Sequence, residues 1–350
     1  MNAYPSKIEV VLKPQPDIAI VITTYQRQEL LRVLLKSIRA LETGPAAVFV
    51  IDNEASDETR QLAEEFAVEH YIGMPENTGG AGGFSRGVHE AYRAGHDWIW
   101  LMDDDVEVLP GALEALARWT APTDEALAAG QPLDQVVGAF QPFRRNFDGS
   151  FFYWQYRFST AFGMQNPLAS AKRALAQSST PINCICFEGG LVHRRAVEAA
   201  GLPDARFFIY ADDTIYGYVL SQHTNMLLIN DYALARTRTL GNMRVGKTRK
   251  LNTASDLSRY HIMRNRGYMA HYLKEFGDYR ALPFALGTAY TLVKELIRLF
   301  VGSGSSDKLA SIRELRRGMR DGRSLRRNTN WQPFWRITPL DTPADDANAL

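Results

Sequence analysis

The sequence predicts an α/β fold, a sheet flanked by helices, with a helical appendage at its C-terminal end. Three observations carry this prediction. From residue 18 to residue 105, short apolar runs alternate four times with helical patterns, as in a parallel sheet covered by helices on both faces. The polar and glycine-rich clusters of that stretch fall at the C-terminal ends of the apolar runs, the edge where open α/β sheets bind ligands. From about residue 256 onward the pattern is helical.

Ile18 to Thr23 is a continuous apolar strand, followed by Thr24-Tyr25-Gln26-Arg27 and a helical pattern from Glu29 to Leu41. Val48 to Ile51 is a second strand, ending in Asp52-Asn53-Glu54-Ala55-Ser56-Asp57, where Ser56 can cap the next helix. A third strand around His70 to Ile72 leads into Asn77-Thr78-Gly79-Gly80-Ala81-Gly82-Gly83-Phe84-Ser85-Arg86-Gly87, and a helix runs from there to Ala94. The apolar run Trp98 to Met102 is a fourth strand, and it ends in three consecutive carboxylates, Asp103, Asp104 and Asp105. Ile182 to Phe187 alternates like a strand with Cys184 and Cys186 on one side; Glu188-Gly189-Gly190 follows, and a helix starts at Arg194. Asp212 and Asp213 open a helical stretch, Thr214 to Leu220, after the apolar run Phe207 to Tyr210.

Three adjacent negative charges repel one another unless a cation neutralises them. Oxygen ligands suit Mg²⁺ or Mn²⁺, which in turn hold diphosphates. A solvated acidic turn has the same composition, so the triplet gains its meaning from the clusters that share its sheet edge. Gly79, Gly80, Gly82 and Gly83 let the backbone approach a ligand, and amides opening the following helix can face a diphosphate. The run matches neither GxxxxGK[ST] nor GxGxxG, and no lysine lies nearby. Arg86, one turn on, is either a phosphate cation or a structural partner for the acids. Carboxylates such as Asp212 and Asp213 are also favoured in a helix's first turn by the macrodipole alone.

The segments Ile22 to Arg27, Ile51-Asp52-Asn53, Glu76 to Gly80, Asp103 to Asp105 and Tyr210 to Asp213 resemble glycosyltransferase family 2, an inverting family with the GT-A fold. Asn77 to Gly87 followed by Met102-Asp103-Asp104-Asp105 is similar to its galactofuranosyltransferase branch, with rhamnosyltransferases as near relatives. The resemblance implies a Rossmann-like mixed sheet flanked by helices and a UDP-sugar donor. It implies that Thr23, Tyr25, Arg27 and Asp52 frame the nucleoside, with Asn77, Gly79, Gly80, Arg86, Asp103 and Asp104 at the nucleotide sugar. Asp103 and Asp105 would hold Mn²⁺ or Mg²⁺. Asp213 would be the base that takes the acceptor proton, with Asp212 orienting it or binding an acceptor hydroxyl. The chain departs from the pattern in one place. Related enzymes carry a histidine downstream of the base as a metal ligand, whereas Asp231 to Thr239 holds none and offers Arg236 and Arg238 instead. Tyr260-His261-Ile262-Met263-Arg264-Asn265 resembles a further element of these transferases; Arg264 and Arg266 either pair with core acids or reach phosphates.

At 350 residues and 45% hydrophobic content the chain can bury one large core plus an appendage. A net charge of +1 excludes a polyanion binder, and no nucleic acid is expected. The two cysteines are too few for a disulfide framework and suit buried packing in a reducing cytoplasm. No signal peptide is evident. The aromatics between residues 136 and 158 suit strand packing or an acceptor groove; Trp154 and Glu188 are the acceptor-side candidates. Leu282 to Val301 is apolar but contains Lys294, Glu295 and Arg298, which argues for an amphipathic helix in a membrane interface and not a span. Lys308 to Arg327 carries eight basic residues against Glu314 and Asp321, a pattern for an anionic membrane surface or for a solvated helix face.

The organisation expected is an extension over 1–17, the nucleotide-sugar and acceptor domain over 18–255, a helical membrane-associating region over 256–335 and a loose tail over 336–350. The function expected is transfer of galactofuranose from UDP-galactofuranose to a glycan or polyprenyl-linked glycan, peripherally on the inner face of the cell membrane. Rhamnosyl transfer from dTDP-rhamnose and a non-catalytic glycan-binding scaffold are the alternatives, and a homo-oligomer is left open.

Overall fold

A computed structural model describes residues 17–152, 157–165, 176–238, 242–245, 249–252, 255–301 and 307–341. The strands are β1 (Ile18–Thr24), β2 (Ala47–Asp52), β3 (His70–Gly73), β4 (Trp98–Asp103), β5 (Val106–Val108), β6 (Val137–Arg145), β7 (Phe151–Phe152), β8 (Phe158–Ser159), β9 (Met164–Gln165), β10 (Ser179–Pro181), β11 (Leu191–His193), β12 (Asn225–Arg236), β13 (Asn242–Val245) and β14 (Arg249–Asn252). The helices are α1 (Gln28–Arg39), α2 (Asp57–Glu65), α3 (Gly79–Ala94), α4 (Ala112–Ala128), α5 (Arg194–Ala200), α6 (Asp212–Leu220), α7 (Asp256–Arg264), α8 (Arg266–Glu275), α9 (Ala281–Val301), α10 (Lys308–Arg327) and α11 (Phe334–Ile337).

The main sheet runs β10-β12-β6-β11-β4-β1-β2-β3, with β5 also pairing β12 and β7 pairing β6. β3, β2, β1 and β4 are parallel, as the strand–helix alternation predicts. β11 is antiparallel to both β4 and β6, and β12 is parallel to β6, so the whole sheet is mixed. β1 and β2 are buried along their full length because helices cover both faces. Alternate β1 side chains feed two cores. Ile18, Ile20 and Ile22 pack with Leu31, Leu34 and Leu35 of α1, while Ala19 and Val21 pack with Phe84 and Val88 of α3. In register, Thr23 lies beside Asp103 and Thr24 beside Asp52, which aligns the C-terminal ends of β1, β2 and β4 in one row.

Two segments differ from their sequence expectation. Residues 182–187 are irregular, because helix α6 lies too close for a regular strand: a Cβ on Gly217 would stand 2.2 Å from the Ile185 amide nitrogen. The Cys186 amide donates instead to the Gln141 side chain at 2.8 Å. Both cysteines are buried thiols outside any disulfide. The helical pattern expected from about residue 256 breaks in two at Asn265.

The C-terminal helices share the main core. Met269, Ala270, Tyr272 and Leu273 of α8 belong to the cluster that holds Phe84. α10 crosses α7 in close contact, where a Cβ on Gly318 would stand 2.3 Å from the Tyr260 carbonyl oxygen. Trp331 stacks on His271 at 4.6 Å, and Trp335 packs on Tyr272 and Phe276, so both serve local packing. The expected loose tail is packed as far as Leu340, whose carbonyl lies 2.9 Å from His89 Nε2, and Thr338 is buried; residues 342–350 lie outside the described residues. Among the described residues, no helix is long and apolar enough to cross a membrane.

Candidate active site

The three carboxylates at the end of β4 diverge, as successive side chains beyond a strand end must. Asp104 turns back into the protein, where Thr24 Oγ1 donates to Oδ2 at 2.7 Å and Arg27 Nη1 donates to Oδ1 at 3.0 Å. It is therefore a lock between the β1 loop and β4. Asp103 and Asp105 converge on Glu188, with carboxylate oxygens of all three within 4.8 Å of one another. Arg238 Nε donates to Asp105 at 2.6 Å, and Arg27 lies 3.8 Å from the same carboxylate. Arg236 forks onto both oxygens of Glu188, with Nε at 2.7 Å, and Arg144 Nη1 stands 3.3 Å away. The Thr237 amide donates to the Asp105 carbonyl at 3.0 Å, which fixes the end of β12 against the cluster. Among the described residues no side chain donates to Asp103. Burial, then repulsion from Asp105 and Glu188, holds its carboxyl well above the usual carboxylate range. Burial also raises Asp104, against the pull of Arg27 and Thr24.

The neighbouring loops organise themselves through side chains. Asp52 is fully buried and accepts from the Glu54 amide, the Ser56 amide and Tyr71 Oη, each at 2.9 Å, so its carboxylate shapes its own loop. Asn53 links that loop to the next by accepting from the Thr78 amide at 3.1 Å and donating to the Gly79 carbonyl at 3.3 Å. Asn77 Oδ1 accepts from the Gly79 amide at 2.9 Å. The glycine run is the first turns of α3 and not a loop; within it only Gly79 has a positive φ, of 69°. A Cβ on Gly79 would stand 2.2 Å from the Phe208 carbonyl oxygen, and one on Gly87 would stand 2.2 Å from Val21 Cγ1. These glycines therefore bring α3 down onto β1 and onto the 208 loop. Gly80 faces Asp212, whose Oδ2 would lie 3.9 Å from an added Cβ. Thr23 is buried, Tyr25 is exposed at the rim, and Arg86 donates to Glu90 at 2.7 Å within α3.

Asp212 and Asp213 open α6 behind a strained loop. Phe208, Tyr210 and Ala211, none of them glycine, have φ of 63°, 69° and 65°. Asn265 holds this loop, its amide nitrogen donating to the carbonyls of Phe207 at 3.0 Å, Ile209 at 2.8 Å and Tyr210 at 2.9 Å. Arg264 adds bonds to the carbonyls of Arg206 and Phe207, so it meets no acid there. Arg266 serves the appendage, donating to the Gly163 and Phe162 carbonyls and to Thr288. Asp213 Oδ1 accepts from the Thr214 amide at 2.5 Å and the Thr214 hydroxyl at 3.0 Å, and Gln165 fixes that hydroxyl at 2.7 Å. Burial and then Asp213 push Asp212 up to about 8, while burial raises Asp213 against hydrogen bonds from Thr214 and Cys186. Arg144, 3.4 Å from Cys186 Sγ, bridges this dyad's surroundings to Glu188.

The sequence placed Asp103 and Asp105 together, and the structure adds Glu188 to them. It assigned no site role to Asn53 or Arg144. Asn53 carried a signal in its place after a strand end, whereas Arg144 ends an apolar strand with no signal at all. Among the described residues, Phe140, Phe143 and Phe158 are core, with Phe143 packed on Phe151 and Tyr232 and Phe158 on Tyr218, while Phe147 is exposed. Trp154 lies outside the described residues.

Comparison with known proteins bears on the family and the fold. The model of the family described as "Glycosyl transferase family 2" matches residues 19–197. The galactofuranosyltransferase GlfT1 of Mycolicibacterium smegmatis is 30% identical over 205 residues, covering 56% of this chain and 62% of that protein. The N-acetylglucosaminyl-diphospho-decaprenol L-rhamnosyltransferase of Mycobacterium tuberculosis is 25% identical over 209 residues, covering 57% and 68%. The match thus spans less than two thirds of the length of GlfT1. Among solved structures, S. aureus TarS 1–349 superposes with a TM-score of 0.52 at 13% identity, covering 89% of this chain and 81% of that one, a likeness of fold alone.

Proposed function

The chain belongs to glycosyl transferase family 2, and on that premise we propose that it moves galactofuranose from UDP-galactofuranose, with inversion, onto a lipid-linked or polysaccharide acceptor of a bacterial surface glycan. The observation that carries this reading is the convergence of Asp103, Asp105 and Glu188 within 4.8 Å at the sheet's C-terminal edge, beside the Asp212–Asp213 pair that opens α6. The choice of galactofuranose rests on the 30% identity to GlfT1. Rhamnosyl transfer is the second reading, resting on the likeness to the rhamnosyltransferase. A diphospho-polyprenyl acceptor, of the class printed in that relative's name, would bring the enzyme to the inner face of the cell membrane.

The carboxylate cluster fits Mn²⁺ or Mg²⁺. Such ions take oxygens at about 2.0–2.1 Å, which puts opposite ligands about 4 Å apart, a spacing that small side-chain rotations reach from the arrangement found. When bound, the ion would supply Lewis-acid stabilisation of the departing diphosphate. Asp103 and Asp105 would hold it. Glu188 would add a third protein oxygen in a chain that lacks a histidine downstream of Asp213, so its role shifts from the acceptor side to the metal side. Arg236, Arg238 and Arg27 neutralise charge that the carboxylates alone would leave in excess.

Asp52 and Asn53 shape the loops against which the nucleoside would lie, Thr23 and Tyr25 line them, and Asn77 just before α3 faces the donor with Gly79 and Gly80 of its first turn. Asp213 takes the acceptor proton while that oxygen bonds to the anomeric carbon and the bond from carbon to phosphate oxygen breaks on the opposite side. Burial and the neighbouring carboxylate push Asp212 up to about 8, while the hydrogen bonds that Asp213 accepts from Thr214 favour its ionised form as the base. A donor panel of UDP-galactofuranose, UDP-galactopyranose and dTDP-rhamnose, with Mn²⁺ and a diphospholipid-linked acceptor, tests this. Transfer from UDP-galactofuranose alone is expected. Transfer only from dTDP-rhamnose would replace the donor, and binding of none would overturn the reading.

A further inference from the structure

Helix α9 (Ala281–Val301) is turned inside out. Two of its charged residues face the protein: Glu295 is fully buried and accepts from Arg298, which is itself mostly buried, while Lys294 is half-buried at the edge of the outer face. Its inner face seats closely on the fold, since a Cβ on Gly287 would stand 2.0 Å from the Phe162 carbonyl oxygen, and Phe284 and Leu299 are buried. Outward point Leu282, Leu286, Tyr290, Val293, Ile297 and Phe300, each between 39% and 71% exposed. Every exposed position from residue 281 to residue 300 is apolar or aromatic. Their spacing forms one straight stripe, about 27 Å long at 1.5 Å per residue. A helix on a water-facing surface has the opposite polarity, and an apolar patch of this extent marks an interaction surface.

The next helix says what covers it. Lys308 opens α10 with its ammonium 5.6 Å from the Phe300 ring, so the basic helix begins where the stripe ends. Arg316, Arg320, Arg323 and Arg327 line one open groove along α10. A second copy of this chain would bring the same positive charge against itself, whereas an anionic lipid surface complements it. We infer that the outer face of α9 seats in the acyl boundary of an anionic bilayer, with the α10 arginines on its headgroups. This rests on the lipid-linked acceptor proposed above, and it names the face that would carry the enzyme to that acceptor.

The test uses the full chain and a variant with Leu286→Gln, Tyr290→Gln, Val293→Gln and Ile297→Gln, all exposed positions where glutamine is a good helix former. Flotation with vesicles of phosphatidylethanolamine and phosphatidylglycerol is measured beside vesicles of phosphatidylcholine, with circular dichroism, thermal melting and light scattering for fold and oligomeric state. Wild type should float with the anionic vesicles and much less with the neutral ones. The variant should melt like wild type, and its partition should fall at least about tenfold. Equal partition of the two proteins would overturn the inference. So would a wild-type dimer that ignores vesicles and that the variant loses, because the stripe would then belong to a second copy. Sugar transfer to a short soluble acceptor, measured in parallel, separates this failure from failure of the proposed activity.

Discussion

Replacing Asn265 by alanine should cost this protein both stability and turnover, by a route readable from distances. Its amide nitrogen donates to three carbonyls of one loop at 2.8–3.0 Å, and the residue is 1% exposed. Two N–H groups disappear, leaving the buried Phe207 carbonyl and the partly buried carbonyls of Ile209 and Tyr210 without those donors. At about 1–3 kcal/mol for a buried polar group left unsatisfied, partly relieved by Arg264, the loss is about 2–4 kcal/mol. The loop itself holds Phe208, Tyr210 and Ala211 at positive φ, which is unfavourable backbone that relaxes once released. Relaxation there moves Asp212 and Asp213, the next residues along the chain. A displacement of about 1 Å at a catalytic group costs on the order of 10²-fold in rate. Steady-state kinetics with UDP-galactofuranose should therefore show kcat reduced to that extent and the donor KM little changed, because the donor loops at β1, β2 and β4 are held by other bonds. A lowered melting temperature with wild-type kcat would refute the coupling between the clamp and the base.

Other expectations follow from the same geometry. Glu188→Gln should weaken Mn²⁺ binding, followed by electron paramagnetic resonance without substrate, by at least about tenfold, since even outer-shell changes cost that much; unchanged affinity would remove Glu188 from the metal site. Asp212 titrates near about 3.9 when unfolded and is pushed up to about 8 in the fold. The folded state thus binds the extra proton between those values, and stability falls as pH rises through that window. Asp212→Asn should flatten the decline in denaturant midpoint between about pH 5 and pH 8; an equal slope in both proteins would contradict the buried dyad. Gly87→Ala places a methyl group 2.2 Å from Val21 Cγ1 and should cost about 1–3 kcal/mol by overpacking. Adding Val21→Ala should recover part of that loss, and no recovery would mean that the contact between α3 and β1 is not the cause.

Much of this fold was legible because β1, β2 and β4 are covered on both faces. Their side chains read as uninterrupted apolar runs, and their polar ends stand out by contrast. The clustered acids Asp103 and Asp105 were legible for the same reason. What stayed hidden depends on contacts distant in sequence. Glu188 joins the cluster only because β11 inserts antiparallel between β4 and β6, a pairing that alternation along the chain cannot announce. Cys184 and Cys186 alternate like strand residues, yet the close approach of α6 at Gly217 leaves no room for a ladder. The glycine run was open to a ligand-facing loop as well as to a helix start, since glycine suits both. Only the neighbours Val21 and Phe208 decide that it is mainly a packing surface. The polarity of α9 was likewise ambiguous, because its charges are visible in the sequence but the inward direction of Glu295 and Arg298 is not.

Removal of the acceptor proton by Asp213 at a sugar-nucleotide site is the step that Asp213→Asn isolates. The amide keeps the volume and can still accept from the Thr214 amide and hydroxyl, so the loop and its clamp should stand. Single-turnover transfer and calorimetric binding of UDP-galactofuranose are measured on the same preparation. Transfer should fall by at least about 10²-fold, the usual contribution of a general base, with donor affinity essentially that of wild type. Transfer at the wild-type rate, or its loss in Asp212→Asn with Asp213→Asn active, would contradict it.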